Sequence, residues 1–137
     1  PEDIGDTIKI NTGGEIISGY YGDQIWGSDK EYGFIAGNFQ TINNNVAIHN
    51  ADNDVIYRSS LNRLASYKVR LKPGLYTIKM LFSENHYSSP SDRVFDIVIE
   101  GDLIVNDLDV LSHAPIKTAY DITLNNNHVH TQQLSKV

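Results

Sequence analysis

The feature that most constrains this chain is the absence of helical periodicity. No segment of ten or more residues places apolar side chains at the i, i+3, i+4, i+7 spacing of an amphipathic helix. Apolar and polar residues alternate instead in short runs that glycine, proline and asparagine interrupt. Such runs bury their apolar side chains when one sheet packs on another or closes on itself. The sequence therefore predicts an antiparallel β-sandwich or barrel.

Two hairpins are the clearest predicted elements. Alternating residues 67–71, a turn at Pro73 and Gly74, and alternating residues 75–82 predict the first. Residues 94–105, with a turn at Gly101 and Asp102, predict the second. Shorter strands are predicted at residues 7–11, 46–49, 55–57 and 122–124, and the asparagine runs 43–45 and 125–127 are predicted to be loops.

Composition limits the partners of the protein. The formal net charge is -6, with 11 basic residues among 137, so we expect neither nucleic acid nor an anionic membrane surface as a partner. No uninterrupted apolar stretch reaches the ~18 residues needed to cross a bilayer, so membrane insertion is not expected. The sequence has no cysteine, which excludes disulfides and thiol nucleophiles. No cofactor is expected.

A set of short motifs, taken together, resembles the malectin domain family. The motifs are Asn11-Thr12-Gly13-Gly14, Trp26-Gly27-Ser28-Asp29, Tyr32-Gly33, Ile56-Tyr57-Arg58, Lys72-Pro73-Gly74, Phe82-Ser83-Glu84, Arg93-Val94-Phe95-Asp96 and Asp107-Leu108-Asp109. Each motif is weak alone, but their order and spacing are specific. The resemblance covers about residues 8–120. It implies a single all-β domain over residues 1–137, an antiparallel β-sandwich of the jelly-roll-like, lectin type.

The resemblance also implies a function and a location. Loops at one end of the sandwich are expected to bind a glucose-containing oligosaccharide without catalysis. The secretory-pathway lumen or the cell exterior is the expected location. Because the chain begins at Pro1 rather than Met, we expect it to be a processed product or an excerpt of a longer protein.

Four aromatic residues are the candidate sugar ligands implied by the motifs. Tyr32 matches the tyrosine after the tryptophan loop, and Tyr57 matches the tyrosine of the Leu-Tyr-Gln step of the family. His86 and Tyr87 take the place of a Tyr-Phe pair, so the first ring is polar here. Flat amphipathic rings suit a sugar because a pyranose combines an apolar C–H face with a hydroxyl rim.

Other interpretations stay open. Tyr57 can be a core residue, Tyr32 can cap the sandwich, and Trp26 suits a structural plug. Glycoside hydrolysis needs two facing carboxylates, and the acidic residues near the expected site are Glu84, Asp92, Asp96 and Asp109. Glu84 and Asp96 are expected to tie loops to backbone N–H groups, so we do not expect an enzyme. His128 and His130 could bind a metal ion through their imidazoles, and residues 52–54 through oxygen atoms. Neither group has the further ligands, at suitable spacing, of a complete site, so no metal is expected.

A second function and an incomplete edge are also predicted. The alternative to sugar binding is a structural or protein-interaction module with a malectin-like fold. Residues 128–137 contain no run suited to the closing pair of strands. We therefore expect the sandwich to lack its last strands, which residues beyond Val137 or another protein chain would supply along the sheet edge.

Overall fold

Strands form most of the structure, a computed structural model that describes residues 7–17, 19–43, 45–99, 101–129 and 133–134. In chain order the elements are β1 (Ile10–Asn11), β2 (Tyr21–Gly22), β3 (Tyr32–Ile35), β4 (Asn38–Thr41), α1 (Asp54–Arg58), β5 (Ser59–Asn62), β6 (Ser66–Arg70), β7 (Gly74–Phe82), β8 (Phe95–Ile99), β9 (Asp102–Leu108), a 3-10 helix (Val110–Ser112), β10 (Tyr120–Val129) and β11 (Gln133–Leu134). The predicted all-β fold is confirmed. Within these residues, no helix is long and apolar enough to cross a membrane.

The strands pair mostly antiparallel in small sheets. β7 pairs with β10, β8 with β9, and β4 with β5, while β6 lies between β3 and β11. The short strands β1 and β2 pair in parallel. The predicted hairpin at residues 94–105 is confirmed as β8–β9, with a tight connection through Gly101, whose φ of 83° favours glycine.

The main core lies where the β7–β10 sheet packs on the β8–β9 hairpin. Ile97, Ile99, Leu108 and Val110 are buried there. The residues of β7 and β10 that pack against them are Ile78, Met80, Phe82, Tyr120, Ile122 and Leu124. Every second residue of β7 points inward, and the intervening Leu75, Thr77 and Lys79 are exposed. This face-to-face packing of two alternating sheets is a β-sandwich.

The first predicted hairpin is wrong in its pairing. Residues 66–70 and 74–82 are both strands, but β6 pairs with β3 and β11, whereas β7 pairs with β10. The turn at Pro73 therefore carries the chain from one sheet to another. Alternation shows that a strand buries one face, but it does not identify the neighbouring strand.

The predicted strand at residues 55–57 is wrong, because the chain forms the short helix α1 there. The side chain of Asn53 caps the helix by accepting the backbone N–H of Val55 at 3.2 Å. Asp54 and Arg58 form an i,i+4 ion pair at 3.6 Å. Five residues are too few to show a helical period in a sequence.

The end of the chain also differs from the prediction. β10 continues through the asparagine run 125–127, which was predicted to be a loop, with an irregular register between Leu124 and Asn127. The hydrogen bonds between paired strands come from backbone N–H and C=O groups. A run of polar side chains can therefore still be part of a strand. β11 pairs with β6, so residues after Asn127 do contribute strand structure. That further strands complete the sheet stays a prediction.

Asp23 and Gly13 fix the segment that leads from β1 into β3. Asp23 accepts the backbone N–H of Gly13 at 2.7 Å and the hydroxyl of Tyr67 at 2.6 Å. A Cβ at Gly13 would lie 2.0 Å from the carbonyl oxygen of Ser60, and its φ is 72°. Only glycine fits this close approach.

Truncation of the core should destabilise the protein far more than truncation of its surface. Ile97 is fully buried, so Ile97→Ala should lower the free energy of unfolding by about 2–5 kcal/mol. Ile104→Ala is the matched control, since Ile104 lies on the paired strand β9 and is 40% exposed. We expect it to cost less than about 1 kcal/mol. Urea unfolding with a common slope measures both, and equal losses would contradict the assigned core.

Candidate functional site

A buried carboxylate organises residues 83–94, the loop after β7. Glu84 is 6% exposed, and its Oε2 accepts the backbone N–H groups of His86 at 3.1 Å and Tyr87 at 3.2 Å. Its Oε1 lies 2.9 Å from Nε of Arg93 in an ion pair. Because the same side chain binds residues near both ends of the loop, it fixes the course of the loop between them.

Arg93 links the loop to β5 and supports an aromatic ring. Its Nη1 donates to Oδ1 of Asn62 at 2.6 Å. Its guanidinium also lies over the ring of Tyr87, 5.0 Å from the centroid. This cation–π contact holds a ring that remains 38% exposed. Tyr87 is therefore both accessible and positioned.

His86 and Tyr87 form an edge-to-face pair on this loop. Their ring centroids are 4.7 Å apart and the ring planes are inclined by 76°. Both residues are exposed, as their polar loop suggested. The pair presents an aromatic face beside a polar ring, which suits contact with the C–H face and the hydroxyl rim of a sugar.

Tyr57 lies beneath the loop and is mostly buried. On α1 it is 8% exposed and packs with Ile48 and Ile56. Its hydroxyl donates to Oδ1 of Asp121 at 2.6 Å, and its carbonyl oxygen accepts from Nδ2 of Asn85 at 2.7 Å. The helix turns the ring into the core, which is the alternative left open for Tyr57 in the sequence. Tyr57 meets the loop through Asn85. That Tyr57 contacts a sugar stays a prediction.

Tyr32 lies in a different cluster. Its hydroxyl donates to the carbonyl oxygen of Gly22 at 2.6 Å, and its ring stacks on Tyr21 with centroids 5.9 Å apart. Partial burial and, secondarily, the charge of Asp23 raise the pKa of Tyr32. The ring packs against the core around Val69, so it is half-buried rather than a free loop residue.

Two residues missed by the sequence reasoning connect these clusters. Tyr20 packs against the core that contains Tyr57, and its neighbour Tyr21 stacks on Tyr32. They line a groove of about 310 Å³ together with Ile16, Ile17 and Gly19. The sequence feature that could have identified them is the adjacent Tyr-Tyr pair in a segment without strand periodicity. The structure thus brings His86 and Tyr87 into contact, joins Tyr57 to their loop, and connects Tyr32 only indirectly.

Three of the four carboxylates weighed for catalysis, those of Glu84, Asp96 and Asp109, hold loops together. Oδ1 of Asp96 accepts the backbone N–H of Asp107 at 2.7 Å, and Oδ2 of Asp109 accepts that of Ser91 at 2.6 Å. With the two bonds to Glu84, this confirms the structural roles predicted for Glu84 and Asp96. These three carboxylates are engaged with backbone donors.

The residues weighed as metal ligands have other contacts or lie outside the described side chains. No three His, Asp or Glu residues of the described part lie close enough together to hold a metal ion. Asp54 pairs with Arg58, and Asn53 caps α1. His130 lies outside the described residues, and so does the side chain of His128.

Comparisons with known proteins agree with this architecture. The family described as Malectin domain matches residues 7–137. Among solved structures, Bacteroides uniformis β-glucuronidase is similar with a TM-score of 0.79 at 18% identity, covering 93% of this chain and 16% of that chain. Bacteroides uniformis β-glucuronidase 2 covalently bound to cyclophellitol-6-carboxylate aziridine gives a TM-score of 0.74 at 19% identity, covering 93% and 15%. The chain therefore spans about one sixth of those enzymes. No curated protein sequence matches it.

Loss of the Arg93 side-chain charge should loosen the 83–94 loop. Arg93→Gln leaves the buried Glu84 carboxylate without its ion-pair partner, and we expect the free energy of unfolding to fall by about 1–3 kcal/mol. Amide hydrogen exchange at His86 and Tyr87 should accelerate. Arg63→Gln is the control, since Arg63 is exposed between β5 and β6. Its free energy of unfolding should stay within about 0.5 kcal/mol of that of the parent protein. Indistinguishable exchange in the two variants would contradict the anchoring role.

Two buried phenols predict a loss of stability at alkaline pH. Burial, with hydrogen bonds to Asp121 and Asp23, raises the pKa values of Tyr57 and Tyr67 above the ordinary 10.0. Above pH 10 the unfolded chain loses these protons while the folded chain keeps them. The free energy of unfolding should then fall by up to about 1.4 kcal/mol per pH unit for each tyrosine.

Urea unfolding between pH 8 and 11 tests this dependence. Tyr67→Phe should flatten the alkaline slope, and Tyr76→Phe serves as a tyrosine control on β7. An unchanged slope in Tyr67→Phe would contradict the assignment.

Proposed function

This chain belongs to the malectin domain family, a family of carbohydrate-binding modules, and we propose that it binds a glucose-containing oligosaccharide without hydrolysing it. The proposed contact residues are His86 and Tyr87, with Tyr57 and Tyr32 as supports. The similarity to one segment of the bacterial β-glucuronidases supports a module of this fold within a larger carbohydrate-active protein.

The anchored aromatic pair carries the proposal. Tyr87 stays accessible, although the Glu84 carboxylate binds its backbone and the Arg93 guanidinium covers its ring from one side. An ordered exposed ring loses little conformational entropy when a sugar stacks on it. Glu84 also holds the N–H of His86, so the two rings have a fixed relative orientation.

Tyr57 and Tyr32 are proposed to act as supports. Tyr57 positions Asn85, the residue that precedes the aromatic pair, through a 2.7 Å hydrogen bond. Its hydroxyl bond also holds Asp121, whose Oδ2 lies 3.8 Å from Nζ of Lys79. Because a carboxylate has about four acceptor positions, Asp121 can still accept a sugar hydroxyl. Tyr32 orients Tyr21, which is exposed at the groove and offers a further ring.

The engaged carboxylates support a non-catalytic role. A hydrolase needs one carboxylic acid and one carboxylate free to face the glycosidic bond. Glu84 is buried and bound to Arg93, while Asp96 and Asp109 accept backbone N–H groups. Such carboxylates serve to hold the loops.

A protein-interaction module is the second candidate function. Leu103 and Ile104 are adjacent exposed apolar residues on β9. Among the described strands, β9 pairs with β8 alone. A docking chain pairing along β9 would cover them. Sugar binding distinguishes the two candidates.

Sugar binding should be measurable and modest. A diglucoside has about 23 non-hydrogen atoms, and an efficiency near 0.3 kcal/mol per atom limits the dissociation constant to roughly 10 μM. Titration calorimetry with maltose, nigerose and cellobiose tests this. Tyr87→Ala should weaken the binding of the active disaccharide by about 1–3 kcal/mol without unfolding the protein.

Leu75→Ala is the control for this measurement. Leu75 is an exposed apolar residue at the opposite end of β7 from the 83–94 loop, so its loss should leave the affinity unchanged. No heat with any glucoside at millimolar concentration would reject sugar binding and favour the interaction module. If Tyr87→Ala and Leu75→Ala bind the disaccharide with equal affinity, the sugar site is not at the 83–94 loop.

A further inference from the structure

The segment that contains Trp26 pairs in parallel beside the edge of β3, in the sheet that also contains β6. Its backbone N–H donates to the carbonyl oxygen of Phe34 at 2.9 Å, and Phe34 in turn donates to the carbonyl oxygen of Gln24 at 2.9 Å. A Cβ at Gly33 would lie 2.6 Å from the Trp26 nitrogen. This pairing fixes the backbone of Trp26 alongside β3, and the indole itself is half-buried.

Two cations of β6 lie against this indole. Lys68 and Arg70 share one face of the strand, while Val69 between them is buried in the core. Nζ of Lys68 is 5.6 Å and Cζ of Arg70 is 5.4 Å from the ring centroid. We call Trp26, Lys68 and Arg70 the indole platform. It lies on the face of β6 opposite the core that contains Tyr32.

The charges of the indole platform are not neutralised by carboxylates of the described chain. Lys30, Arg58, Lys79 and Arg93 each have a carboxylate within 4 Å, whereas Lys68 and Arg70 have none among the described residues. Nη2 of Arg70 makes two long bonds, of 3.4 Å, to the carbonyl oxygens of Ser28 and Lys30. Its shielded Nε has no hydrogen-bond partner in that part of the chain.

Lys68 and Arg70 thus place two cations without a nearby described carboxylate beside one ring, in a chain with a net charge of -6. A cation–π contact orients a cation without cancelling its charge, so the platform retains a local charge of about +2. A surface with this charge and an aromatic ring matches a ligand that is both anionic and ring-shaped. The guanidinium plane suits a carboxylate in particular.

We propose that the indole platform is a second carbohydrate site, and that it binds a saccharide unit bearing a carboxylate, a uronate. The apolar face of the pyranose packs on the indole, and the carboxylate lies between Lys68 and Arg70. This site is separate from the 83–94 loop, because it lies on the face of β6 turned away from the core. A neutral glucoside offers the platform no charge partner and binds only at the loop.

Tryptophan fluorescence tests the proposal directly, because Trp26 is the sole tryptophan of the chain. The 137-residue protein is titrated at low salt with oligogalacturonate, with a neutral maltooligosaccharide of equal length, and with polyglutamate of matched charge. We expect a saturable change in Trp26 emission with oligogalacturonate alone, weakened by added salt. No change, or an equal response to polyglutamate, would overturn a site for acidic saccharides.

Two variants that each remove one positive charge test whether oligogalacturonate binds at the indole platform. Lys68→Gln should weaken the response to oligogalacturonate by roughly fivefold, the effect of one exposed charge pair. Lys72→Gln removes an equal charge from an exposed position after β6 and should leave it unchanged. Equal weakening in both variants would overturn the platform in favour of general charge attraction.

Tyr87→Ala separates this proposal from the loop site. The variant should lose affinity for neutral glucosides and keep its fluorescence response to oligogalacturonate. Loss of the fluorescence response in Tyr87→Ala would mean that the acidic saccharide binds at the loop, and would also overturn the platform.

Discussion

Burial of β7 is the constraint on which the rest of the fold depends. Ile78, Met80 and Phe82 of this strand pack against the β8–β9 hairpin. Leu81 joins the core around Tyr57, and Tyr76 joins the core around Val69. One strand therefore contributes to all three apolar clusters of the described chain. Because β7 is fixed along its whole length, the residues that follow Phe82 leave the sheet at a defined position, and the candidate site begins there.

A buried charge holds the 83–94 loop, which begins at this fixed position. Its residues are mostly polar and exposed, so hydrophobic burial cannot hold them. The buried Glu84 carboxylate does so instead, through two backbone N–H groups and Arg93. A charge removed from water is costly unless it is fully paired, and Glu84 is paired on both oxygens. The same guanidinium then supports Tyr87, so the loop anchor and the exposed ring are one assembly.

The cation–π contacts at Tyr87 and at Trp26 differ in whether a carboxylate neutralises the cation. Arg93 is neutralised by Glu84, so its contact with Tyr87 mainly orients the ring. Lys68 and Arg70 have no such carboxylate within the described residues, so their contact with Trp26 leaves charge available to a ligand. The two proposed sites therefore differ in charge: the loop site is proposed for a neutral sugar and the sheet site for an acidic one. The two proposed sites lie on different sheets, so variants of one site can be tested without altering the other.

The sequence by itself determined the fold class, the β8–β9 hairpin and the loop that contains His86 and Tyr87. These features follow from alternation, turn residues and local polarity, which act over a few neighbouring residues. The ordered motifs also pointed to the family. Strand pairing was decided only in the tertiary structure, because the alternating runs of β6 and β7 fit several partners equally well. The same holds for Tyr57, whose ring is buried because the short helix α1 turns it toward Ile48 and Ile56. The contacts of Trp26 with Lys68 and Arg70 depend on residues about 40 positions apart. Only the folded chain brings them together, since local sequence carries no information on which distant side chains share a face.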